Sequence, residues 1–150
     1  MNFVRHINTL IKPASGFCNM TCKYCFYYDS MENREDHSCG MMTEFTMNQI
    51  INKVFDENPA SVGFAFQGGE PTLIGIEYYK KFIAAVNNRN TNNVSIKYSI
   101  QTNGTFINDD FAKLFSENKF LVGISIDGPK ELHDSNRILS RNKGSFDKVM

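Results

Sequence analysis

The sequence predicts an α/β fold, a partial (β/α) barrel of four parallel strands with helices on the outside. Three observations predict it: short apolar runs alternate with segments of helical period, turn signals close the runs, and unusual residues gather at those closures. Consecutive βαβ units cross over right-handed, which lays the strands side by side and parallel. In such sheets ligands sit beyond the carboxyl ends of the strands.

Thr9 to Lys12 is apolar and partly β-branched and stops at Pro13, which reads as the first strand running into a polar loop that carries Cys18, Cys22 and Cys25. Met47, Ile50, Ile51, Val54 and Phe55 then recur at the spacing of one buried helical face. Val62 to Phe66 is a buried strand closed by Gly68-Gly69-Glu70-Pro71, and Tyr79, Phe82, Ile83 and Val86 mark the second helix. Val94 to Ile100 is the third strand, ending at Thr102-Asn103-Gly104. Asn108 is placed to cap a third helix whose buried face holds Phe111, Leu114 and Phe115. Leu121 to Ile126 is the fourth strand, closed by Asp127-Gly128-Pro129, and Ser145 is the expected N-cap of a further helix start.

Sixteen basic and sixteen acidic side chains cancel in 150 residues, and no stripe of Lys or Arg forms, which argues against a nucleic-acid partner. A hydrophobic content of 41% is ordinary for a globular domain. Arg5, His6, Asn8 and Lys12 interrupt the apolar residues at the N-terminus, and no run approaches the length of a membrane span. The chain is therefore expected to be soluble and cytoplasmic, with no membrane partner. Three of its four cysteines crowd into eight residues, which suits metal binding better than a disulfide framework.

Cys18, Cys22 and Cys25 form CxxxCxxC, three soft thiolates within reach of one metal centre. A four-iron cubane held by three cysteines leaves one iron open to a substrate or cofactor. Two other readings of the same residues stand beside it. A zinc knuckle would use His37 or Cys39 as a fourth ligand, although zinc ligands more often come as two CxxC-like clips. A dithiol redox pair of Cys22 and Cys25 would leave Cys18 without a role. Cys39 is expected to stand apart, and His6, His37 and His133 carry no spacing that demands catalysis.

The cysteine motif with an aromatic residue before its last member, Cys22-Lys23-Tyr24-Cys25, combined with Gly-Gly-Glu-Pro after the second strand, resembles the radical S-adenosylmethionine (radical SAM) enzymes. Leu10-Ile11-Lys12-Pro13, Cys25-Phe26-Tyr27, Phe64 through Thr72, Gln101 through Thr105 and Asp127-Gly128-Pro129 are similar to the anaerobic sulfatase-maturating enzymes within that superfamily. The resemblance runs from about Leu10 onward.

It implies a partial barrel of the radical SAM type, a 4Fe-4S cluster on the three cysteines, and S-adenosylmethionine bound at the open iron through its amino and carboxylate groups. One electron from the reduced cluster then cleaves the cofactor to a 5′-deoxyadenosyl radical, while the protein positions the cofactor and excludes side reactions. In the maturases that radical takes a hydrogen from the β-carbon of a sulfatase Cys or Ser, and Cα-formylglycine results. A low-potential electron donor such as a flavodoxin or ferredoxin is implied, together with a sulfatase or other peptide substrate.

Site roles follow residue by residue. Gly68 and Gly69 allow close backbone approach, and with Glu70 they are expected at the cofactor's amino group. Gln67, Asn103 and Ser125 offer polar side chains to the rest of the cofactor, and Arg137 a bidentate contact to its carboxylate. Tyr27 is the candidate catalytic side chain at the substrate end of the pocket; packing beside Phe26 is its alternative.

Full-length family members continue with further strands, a later acidic base and a cysteine-rich region for auxiliary clusters, none of which appears here. Residues 1–150 are thus expected to be the N-terminal part of a radical SAM core domain, able to bind the cofactors but not to complete formylglycine formation. Another peptide-modifying radical enzyme, forming thioether or carbon-carbon crosslinks, is the nearest alternative activity. A non-catalytic metal-binding module or inactive fragment is the alternative of a different class.

Overall fold

The computed structural model describes residues 5–25, 27, 33 and 39–150. Its main sheet has four strands in the order β1 (His6–Ile11), β2 (Ser61–Phe66), β3 (Ser95–Thr102) and β4 (Leu121–Ile124). All neighbours are parallel, with Thr9 beside Phe64, Phe64 beside Tyr98, and Ile100 beside Val122. Helices α1 (Glu44–Asp56), α2 (Ile76–Arg89) and α3 (Asp109–Glu117) make the crossovers. β1 and β4 both remain edges, so the barrel is partial, as the alternating pattern predicts. Among the described residues no helix is long and apolar enough to cross a membrane.

Alternation along β2 builds the core. Val62, Phe64 and Phe66 are buried toward the helices, while Ser61, Gly63 and Ala65 on the other face are half-buried. The ring of Phe82 meets Phe64 at 5.0 Å and Phe66 at 5.1 Å, both edge-on, and Tyr79 meets Phe66 and Phe115 in the same way. Edge-to-face pairs add to area burial because the positive ring edge meets the negative face. Removing a ring such as Phe82, which is fully buried, costs about 3–5 kcal/mol.

Local chemistry sets the helix starts. The Oγ1 of Thr43 accepts from the Thr46 N–H at the head of α1, and the Oδ1 of Asn108 accepts from the Phe111 N–H at the head of α3. Beyond β4 lie α4 (Lys130–Asn136), a two-stranded antiparallel hairpin of β5 (Ile138–Leu139) and β6 (Lys143–Gly144), and α5 (Phe146–Val149).

Three boundaries depart from the sequence reading by two residues or more. β1 starts at His6 rather than Thr9, because its outward residues His6 and Asn8 are polar and mask the strand pattern. β3 runs on to Thr102, delivering that side chain to the site. β4 ends at Ile124 rather than Ile126: the Ser125 N–H still reaches the Thr102 carbonyl at 3.0 Å, and the chain then leaves the sheet toward the site. Ser145 does precede α5, but its hydroxyl caps nothing. It donates instead to the Arg137 carbonyl at 2.8 Å and pairs with His133 Nε2 at 2.9 Å.

Candidate functional site

The loop after β1 is held on two sides. The Glu70 N–H donates to the Phe17 carbonyl at 2.7 Å, and the Thr21 and Lys23 N–H groups donate to the Ile138 and Asn136 carbonyls. Cys18, Cys22 and Cys25 are thereby carried to the carboxyl end of the sheet, where all three are free of disulfides and line one cavity of about 220 Å³. Every residue singled out from the sequence lines it too: Tyr27, Gln67, Gly68, Gly69, Glu70, Asn103, Ser125 and Arg137. A larger hollow, about 490 Å³, opens among Phe55, Asn58, Ala60, Arg89 and Val94 at the other end of the sheet. It has no thiol and no glycine turn, so the smaller cavity is the candidate site.

Gly68 and Gly69 both have positive φ, +110° and +57°. A Cβ at 69 would stand 2.3 Å from the Phe17 carbonyl oxygen, and one at 68 would stand 2.8 Å from Lys12 Cγ. Only glycine lets the chain turn here while lying against the cysteine loop.

Glu70 is fully buried and all of its carboxylate capacity faces donors. Oε1 accepts from the Thr72 N–H at 3.0 Å, the Thr72 hydroxyl at 2.5 Å and the Thr102 hydroxyl at 2.7 Å, while Oε2 accepts from the Asn103 N–H at 2.7 Å. It locks the loop after β2 to the end of β3. Asn103 is thus aimed back at the cysteine loop, its Nδ2 donating to Asn19 Oδ1 at 2.9 Å and lying 3.8 Å from Cys18 Sγ. Ser125 Oγ accepts from Gln101 Nε2 at 2.9 Å. The Lys12 ammonium sits 4.6 Å over the Tyr27 ring.

Cys18 keeps solvent contact as a residue, yet protein crowds its sulfur, and that desolvation pushes the thiol up to about 11. Burial also raises Cys22, opposed by the Arg137 charge. Such thiols stay protonated unless a cation takes the proton's place. Among the described residues no three His, Cys, Asp or Glu side chains converge on one ion. Cys39 is exposed and does not line the cavity, while His37 and Phe26 lie outside the described residues. Three soft thiol donors lining one cavity, with N–H groups at two of the sulfurs, suit a metal-sulfur cluster, whose ligands bind different metal atoms.

Four contributors went unread as site residues. Met20, Gln101 and Thr102 line the cavity, and Tyr24 donates its hydroxyl to both oxygens of Asp127, at 2.7 and 2.5 Å. Thr102 and Gln101 precede an Asn-Gly turn that is the stronger local signal, and nothing in the spacing of Tyr24 and Asp127, 103 positions apart, signals their contact.

Comparison with known proteins agrees with this geometry. The model of the Radical SAM superfamily matches residues 13–150. A cysteine-type anaerobic sulfatase-maturating enzyme of Clostridium novyi is 54% identical over 147 residues, covering 98% of this chain and 39% of that protein. A serine-type anaerobic sulfatase-maturating enzyme of Klebsiella aerogenes is 34% identical, covering 91% of this chain and 33% of that protein. The solved structure of native anSMEcpe with bound AdoMet and Cp18Cys peptide superposes with a TM-score of 0.88 at 44% identity, over 96% of this chain and 38% of that one. The chain thus spans about two fifths of the length of the cysteine-type relative. A family match across the whole stretch that builds the site, from the cysteine loop to Arg137, makes this chain a member of the Radical SAM superfamily.

Proposed function

We propose that this chain carries the cofactor-binding part of an anaerobic sulfatase maturase, with Cys18, Cys22 and Cys25 holding a 4Fe-4S cluster and the surrounding cavity holding S-adenosylmethionine. The observation that supports it is the meeting of three free thiols and the Gly68-Gly69 turn in one cavity at the strand ends. When bound, the cluster supplies one electron that cleaves the cofactor's sulfonium to a 5′-deoxyadenosyl radical.

The chain's own residues bind and orient. Gly68 and Gly69 expose backbone groups to the cofactor's amino end, and Glu70 keeps that backbone rigid through its four accepted hydrogen bonds. Gln67, Asn103 and Ser125 offer hydrogen-bonding groups to the rest of the cofactor, and Arg137 a cation for its carboxylate. Tyr27 is proposed at the substrate end, fixed by Lys12. The reaction oxidises a sulfatase Cys or Ser to Cα-formylglycine in the cytoplasm, with a flavodoxin or ferredoxin as electron donor.

The test incubates the anaerobically reconstituted protein with dithionite, S-adenosylmethionine and a Cys-containing sulfatase peptide, then weighs the peptide. Cleaved cofactor with an unchanged peptide is the expected result for these 150 residues, and a mass shift to formylglycine would show that they complete the reaction by themselves. A crosslinked peptide would assign the chain to a different peptide-modifying radical enzyme.

A further inference from the structure

Arg137 closes a chain of contacts that ends on a cysteine sulfur. Its Nε donates to Asp127 Oδ1 at 2.8 Å, its Nη1 points to Cys22 Sγ at 3.9 Å, and its guanidinium lies 5.4 Å over the Tyr24 ring. Tyr24 returns to Asp127 by donating its hydroxyl to both carboxylate oxygens. The Arg137 and Asp127 side chains are only 14% and 17% exposed, so the pair is sheltered from screening.

The backbone behind the pair is fixed as well. His133 is fully buried; its Nδ1 faces the Asp127 N–H at 3.4 Å and its Nε2 bonds the Ser145 hydroxyl, which donates to the Arg137 carbonyl. Asp127 and Arg137 are thus held at both backbone and side chain, ten residues apart across α4. A guanidinium anchored this firmly is costly to swing away, and its fork geometry dictates where the remaining N–H groups point.

Resting on the cluster reading above, we propose that Arg137 is a positioning and tuning residue for the cluster: oriented by Asp127, it donates an N–H to the Cys22 sulfur and makes the cluster easier to reduce. An N–H donor and positive charge at a ligating thiolate withdraw electron density and favour the reduced state, whose extra negative charge they stabilise. Only the difference in this interaction between the two oxidation states moves the potential, and it favours the more negative, reduced state.

The experiment is an EPR-monitored redox titration of the reconstituted chain without S-adenosylmethionine, comparing wild type with Arg137→Gln at matched iron content. The expected result is a reduced-to-oxidised ratio about tenfold lower for the variant at fixed poise, about 59 mV for a one-electron couple. An unchanged midpoint at full iron content would overturn the proposal. Because Arg137→Gln can also fail to assemble a cluster, pulsed EPR on reduced wild-type protein labelled with 15N-arginine gives a second readout. A 15N coupling to the cluster that Arg137→Lys abolishes is expected; absence of the coupling in wild type refutes the contact. A wild-type chain that takes up no iron would instead remove the cluster reading itself.

Discussion

The buried carboxylate of Glu70 accepts the backbone N–H of Asn103 at 2.7 Å, so the loop after β2 and the end of β3 move as one piece. The same carboxylate holds the hydroxyls of Thr72 and Thr102. Glu70→Gln replaces one acceptor oxygen by an N–H donor that must face donors. It is expected to lower stability by about 1–3 kcal/mol, read as a lower urea midpoint, and to weaken S-adenosylmethionine binding in the same variant.

Gly69 lies between that lock and the cysteine loop. Gly69→Ala pays about 1–2 kcal/mol for the left-handed backbone alone. It also drives a Cβ onto the Phe17 carbonyl that accepts from the Glu70 N–H. The predicted outcome is a destabilised chain with sharply lower iron uptake on anaerobic reconstitution, while Gly40→Ala, which carries the positive-φ strain but whose Cβ meets nothing, retains uptake.

Asp127 ties the cysteine loop to the end of β4 in a pH-dependent way. Burial would raise its carboxyl, but hydrogen bonds from Tyr24 and Arg137 and the Arg137 charge outweigh that and hold it below the ordinary range. A carboxyl whose folded value lies below its unfolded one stabilises fully above the unfolded value, about 3.9, and loses that contribution as pH falls through the folded value. The difference in urea midpoint between wild type and Asp127→Asn should therefore be largest at neutral pH and shrink in strong acid. A difference independent of pH would show that the carboxylate charge is not what stabilises the tie.

Much of this was legible because the informative signals are local. The buried face of α1, from Met47 to Phe55, follows from helical period, and Gly68-Gly69-Glu70 announces a turn of unusual geometry at a strand end. What escaped is long-range. Ser145 reads as a cap because a Ser before an amphipathic segment usually is one, yet its hydroxyl is committed to His133 and the Arg137 carbonyl. Glu70 reads as part of the turn that meets the cofactor's amino group, whereas its partners Thr102 and Asn103 come from the end of another strand. β1 starts three residues early because the inward-facing half of its alternation, Ile7, Thr9 and Ile11, is diluted by the polar His6 and Asn8 on the outward face.

The three cysteines of the cavity are expected to be individually indispensable. Cys18→Ala, Cys22→Ala or Cys25→Ala should each abolish the brown absorbance formed on anaerobic reconstitution. Exposed Cys39, outside the cavity, should tolerate alanine with the absorbance unchanged.

The most direct test of the central claim is the release of 5′-deoxyadenosine by the iron-reconstituted, dithionite-reduced chain supplied with S-adenosylmethionine. The account predicts that 5′-deoxyadenosine accumulates with the wild-type chain and not with Cys22→Ala. Stoichiometric uptake of zinc with no iron, and no 5′-deoxyadenosine from any preparation, would contradict it.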